Sequence, residues 1–150
     1  MKNENFWLYR KHKENIAYTD IYPRELLQRI DLETDFKLDT LENEFNSLFD
    51  WKSIQPSYNF FFDFENNNNR IKMALEKSPL NSVGFVYIDT LSNVPIIKTT
   101  RQYFIDNWFD FIDANTGQGS FCITSDLKLL MEFTDDRKYH LFSNFNLQVM

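Results

Sequence analysis

The sequence predicts an α+β domain in which helices pack on an antiparallel sheet that ends in a C-terminal β-meander. Three observations predict it. Between Thr100 and Ala114, Phe104, Ile105, Trp108, Phe109 and Ile112 form one wide apolar face at helical spacing. Three strand-like segments follow that helix with only short turns between them, which favours antiparallel neighbours. Earlier, Tyr58, Phe60, Phe62 and Phe64 alternate with Asn59, Phe61 and Asp63, the period-2 signature of a strand.

The elements follow in order. Met1 to Asn15 is polar around an aromatic knot at Phe6, Trp7 and Tyr9, and reads as a short strand or ordered arm. Pro23 suits a first helical turn and opens a helix over Arg24 to Ile30, with Leu26, Leu27 and Ile30 on one side. Asp39 reads as the N-cap of a helix from Thr40 to about Lys52, because Leu41, Phe45, Leu48 and Phe49 line one face. After the strand Tyr58 to Phe64, the run Asn66 to Asn69 leads into a helix over Asn69 to Lys77, which Pro79 ends. Val83 to Asp89 is strand-like, and Val94 to Lys98 is placed to pair back on it as a hairpin. Thr99 with Gln102 three positions on forms a capping box for the long aromatic helix. The loop Asn115 to Gly119 holds two of the three glycines and stops that helix. Ser120 to Thr124, Leu127 to Phe133 and Tyr139 to Phe145 complete the meander, with turns at Asp126 and at Asp135 and Asp136.

The length of 150 residues fits a single domain spanning 1–150, and the 43% hydrophobic content, with 16 Phe, supplies a core without staples. The formal net charge of −6 disfavours direct nucleic-acid binding and anionic membranes, and favours a basic partner or none. No stretch approaches the roughly 18 apolar residues of a membrane span. Cys122 is the only cysteine, so an internal disulfide is excluded, and a reducing, cytoplasmic setting is expected.

A search for chemistry finds no catalytic centre. His12 is expected to be solvated in the charged arm, and His140 lies in a strand between Tyr139 and Leu141. Cys122 sits between Phe121 and Ile123, as an inert buried thiol would. Glycine-rich phosphate loops and metal-ligand spacings are absent, so no cofactor or metal is expected. Glu132, Asp135 and Asp136 are the nearest approach to a hard-cation site, and a solvated turn explains them better. Asp126-Leu127-Lys128 matches half of a metal-dependent nuclease motif, but the preceding strand supplies no second acid.

One pattern points to a partner. Asp106, Asp110 and Asp113 recur at i, i+4 and i+7 as an acidic stripe beside the apolar face of the long helix. Like charges at this spacing repel, and the later two oppose the helix dipole, each effect costing about 0.2 to 1 kcal/mol. A basic partner would relieve that cost. So would Arg101 or nearby lysines, and the stripe reads equally well as a solvated face. Asp126, Asp135 and Asp136 extend the patch if the meander sets them beside the helix end.

The stretch from Tyr103 to Phe145 resembles the C-terminal half of small bacterial immunity proteins that accompany polymorphic toxins, including those of contact-dependent growth inhibition. The resemblance lies in the order of parts: an aromatic helix, a Gly117-x-Gly119 loop, then strands carrying Ser125-Asp126 and Glu132-Phe133-Thr134-Asp135-Asp136. It covers less than a third of the chain and transfers no binding residue. It implies a cytoplasmic, non-enzymatic protein that neutralises a cognate, basic toxin by blocking its active site or substrate groove. Two alternatives stay open. One is a small-molecule-binding domain or enzyme with an aromatic pocket fed by Tyr58, Phe60 and Phe62. The other is a subunit of a larger assembly.

Overall fold

In a computed structural model the structure describes residues 6–39, 47–62, 68–90, 93–114, 120–135 and 139–147. Within them lie four helices, α1 (Trp7–His12), α2 (Pro23–Glu33), α3 (Asn68–Glu76) and α4 (Arg101–Asp113). Seven strands accompany them: β1 (Ile16–Tyr18), β2 (Tyr58–Phe62), β3 (Phe85–Ile88), β4 (Ile97–Thr100), β5 (Ser120–Thr124), β6 (Leu130–Asp135) and β7 (Tyr139–Ser143). They form one sheet in the order β1-β4-β3-β5-β6-β7-β2, and every neighbouring pair is antiparallel. The expected α+β architecture and C-terminal meander are both present.

The sheet is buried on both faces, and side-chain alternation assigns the residues. Val86, Ile88, Cys122, Met131, Phe133 and Leu141 point to the first face, where Leu8 of α1, Ile71 and Leu75 of α3, and Phe104, Trp108 and Phe111 of α4 cover them. Trp108 lies flat on Phe133 with ring centroids 5.7 Å apart. Phe121, Ile123, Leu130 and Phe142 point to the second face, where Leu26 and Ile30 of α2 join Phe49, Trp51 and Ile54. The central strand β5 is therefore buried at all five positions.

Several expectations need correction. The N-terminal arm contains a helical turn and a half: α1 carries Leu8 and His12 into the first core, and only then does β1 begin. The helix expected over Thr40 to Lys52 is absent from its described part, since residues 47–52 run as an extended bridge and a turn. Phe49 pairs with Leu38, and the Asp39 amide donates to the Leu48 carbonyl, so the apolar spacing there serves a strap over the sheet. Leu41 and Phe45 lie outside the described residues. The cap of α4 is Thr100, whose hydroxyl accepts from the Tyr103 amide, rather than Thr99, which instead donates its hydroxyl to the Asn15 carbonyl. Strand β4 starts at Ile97, three residues later than the pattern implied, and β6 starts at Leu130, because Ser125–Leu129 forms the connecting turn.

Candidate functional site

The acidic stripe of α4 is flanked by the two short helices of its own layer. His12, at the end of α1, is 4% exposed and bridges two residues of α4. Its Nδ1 lies 2.5 Å from the Tyr103 hydroxyl and its Nε2 lies 2.8 Å from Asp110 Oδ2. The imidazole stacks on Phe111 at 5.7 Å. This corrects the expectation of a solvated His12. The sequence hid the contact because its partners lie more than ninety residues away.

Lys11 adds a second cation to Asp110 at 2.8 Å. Burial works against ionisation of Asp110, yet the hydrogen bonds from Lys11 and His12 outweigh it and hold the carboxyl below its ordinary range. Asp106 accepts from the Gln102 amide at 3.0 Å and faces Lys72 of α3 at 3.8 Å. Asp113 is exposed. Between Tyr103 and Asp110 the helix kinks at Asn107, which has non-helical φ −128° and ψ 21° and donates its side-chain amide to the Tyr103 carbonyl. His12 spans that kink.

Of the other expected residues, Asp126 lies by the start of α4, against Arg101, rather than beside the helix end. Asp126 caps its own turn: the Thr124 hydroxyl and the Lys128 amide donate to Oδ1, and Arg101 approaches Oδ2 at 3.6 Å. The Thr124 hydrogen bond is the main reason its carboxyl titrates low. Asp135 ends β6, and Asp136 lies outside the described residues.

Two buried carboxyls have roles that the sequence did not reveal: Glu132 was expected only in a cation site or solvated turn, and Asp89 only at the end of a strand. Glu132 is 3% exposed on the second face. Its Oε2 accepts from the Leu48 amide at 2.7 Å and its Oε1 from the Trp51 indole at 2.8 Å, so it anchors the strap that covers the sheet. It is therefore an internal acceptor on the second face rather than part of a solvated turn. Asp89, after β3, accepts from the Phe121 amide at 2.6 Å and the Ser120 hydroxyl at 2.9 Å. Burial raises both carboxyls to about 7, and the donors around each offset only part of that rise. Cys122 is buried, and burial first, then the nearby Asp89, drives its thiol far above the ordinary range. His140 is half-buried beside Phe61 and Phe142. No group of three or more metal-binding side chains occurs among the described residues. Nor does any described helix have the length and apolarity to cross a membrane.

The charge is unevenly distributed. Residues 20–50 contain nine acidic and three basic residues, a balance equal to the −6 of the whole chain. This stretch includes α2 and much of the covering over the second face. Asp20, Glu25, Glu33 and Asp35 are exposed there, as are the large apolar side chains of Tyr22, Leu32 and Leu48. Leu32 is 84% exposed. Beside it, a cleft of about 430 Å³ opens between the end of α2, residues 53–55 and the β5–β6 turn. No protein-family profile, curated protein or solved structure matches the chain.

Proposed function

We propose that this chain is an immunity protein that binds a cognate, basic toxin domain and blocks its active site or substrate groove. The observation that carries the reading is the acidic layer over the second sheet face, with Tyr22, Leu32 and Leu48 exposed among its carboxylates. Concentrated negative charge steers a basic partner and speeds its encounter. Exposed apolar side chains inside such a field supply the anchors that hold it. On α4, the more exposed Asp106 and Asp113 offer a secondary contact, whereas Asp110 is largely covered and held by Lys11 and His12. In this reading the protein acts by occupancy and needs neither cofactor nor nucleophile.

The raised carboxyls of Asp89 and Glu132 favour a second reading, a ligand pocket with a perturbed acid. Internal donors already fill that role for both, and neither lines the cleft. The test of function is capture of the tagged chain's partner from its native cells, followed by expression of that partner with and without this chain. A partner that stops growth alone and is tolerated in the presence of the chain supports the proposal. A harmless partner, or toxicity that the chain leaves unrelieved, overturns it.

A further inference from the structure

The geometry points to the cleft beside α2 as a socket for a lysine or arginine side chain of a basic partner protein, an inference that rests on the partner-binding reading above. Its walls are amphipathic. Phe36, Ile54 and Leu127 supply apolar surface, while Glu33, Asp35 and Asp126 supply carboxylates. A long basic side chain has this same division, an alkyl stem and a charged head, and buries the first while keeping the second polar. A shorter ammonium or a metal ion would leave the apolar walls unused.

The three carboxylates differ in how open they are. Asp126 is held by its own turn and by Arg101. Glu33 accepts from Arg29 at 2.7 Å in an exposed pair, which a partner's cation can exchange at little cost. Asp35 makes no ion pair or side-chain hydrogen bond among the described residues and is exposed, so it presents the open acceptor. Lys128, also in the wall, repels an incoming cation. Its presence makes a prediction of opposite sign available. Around the cleft, the described residues of the stretch, 20–39 and 47–50, hold seven acids against three bases, which complements a basic protein surface and disfavours a phosphate-bearing occupant. Leu32, exposed at the end of α2, offers an apolar contact for the partner backbone around the inserted side chain.

The probe is a blocked hexa-arginine peptide, titrated into the labelled full chain and followed by amide chemical shifts. Saturable shifts are expected at residues 33–36, 53–55 and 126–128. Asp35→Lys should weaken the peptide at least tenfold, and Lys128→Gln should tighten it severalfold; both positions are exposed, so the fold is preserved. Shifts spread evenly over all acidic surfaces, shifts centred on Asp106 and Asp113, or an affinity unchanged by Asp35→Lys would each overturn the inference. The two failures are distinguishable. A harmless captured partner removes the immunity reading while peptide binding at the cleft stands. A true toxin whose affinity ignores Asp35→Lys removes the socket alone.

Discussion

The stripe on α4 and the layer around α2 are both acidic, but the fold gives their carboxylates different surroundings. On α4, α1 brings His12 and Lys11 to Asp110, and α3 brings Lys72 to Asp106. On α2, the nearest cation to Glu33 is Arg29 one turn earlier, and Asp35 has no such partner among the described residues. The first set of charges joins helices to each other. The second set faces outward with exposed apolar neighbours. Spacing within one helix does not separate the two cases, because the deciding cations arrive from elsewhere in the chain.

The largest expected effect lies beneath the α2 layer. Glu132→Ala leaves the Leu48 amide and Trp51 indole without their buried acceptor, and should cost about 3 kcal/mol in urea unfolding. An unchanged midpoint would mean that the strap is not anchored there. Next comes His12→Ala, which removes a 4% exposed ring and both of its bonds across the α4 kink. It should cost about 2 kcal/mol, against less than about 0.5 kcal/mol for Asp113→Asn at an exposed position. Equal costs would erase the distinction between the buried seam and the outward face.

The pH dependence follows from the shifted carboxyls. Asp89 and Glu132 release protons near 3.8 and 4.5 when unfolded but near 7 when folded. The folded chain therefore holds more protons between these limits, and their contribution to stability is lost as pH rises through about 7. Asp110 and Asp126 act in the opposite direction: their lowered values stabilise the fold at neutral pH, and that contribution is lost as pH falls through and below the ordinary value of 3.8. Urea midpoints should thus rise between pH 8 and pH 5, and Glu132→Gln should flatten the rise while lowering stability overall. A midpoint that climbs with pH in this range would contradict the burial of these groups. The smallest effect is expected at Lys72→Ala, within about 0.5 kcal/mol and erased by salt, because its pair with Asp106 is half-exposed at 3.8 Å.

Much of the fold was legible because local pattern and tertiary role agree. The aromatic face of α4 and the Ser120–Thr124 strand bury the side chains that their patterns select, and the alternation in β2 and the β3–β4 hairpin are realised as paired strands. The failures have a common physical origin in long-range contacts. Leu48 and Phe49 sit at helical spacing from Leu41 and Phe45, yet Glu132 captures the backbone of 48 and 49 and holds it as a strap. His12 looked solvated because its neighbours in sequence are charged, while Tyr103, Asp110 and Phe111 enclose it in space. The acidic stripe itself was readable, as was the chance of neutralisation by nearby lysines. That Lys11 and Lys72 supply it, rather than Arg101, depends on how α1 and α3 pack. The outward charge around α2 is visible in the sequence as a local excess of acids, but its exposure depends on the packing of the second face.

The most direct test of this account compares two charge-neutralised variants for affinity toward the captured partner. One carries Glu33→Gln with Asp35→Asn, and the other carries Asp106→Asn with Asp113→Asn. The account predicts at least a tenfold loss for the first pair and less than a threefold change for the second, with the difference shrinking as salt rises. A large loss confined to the Asp106 and Asp113 variant would place the interface on α4 and contradict it.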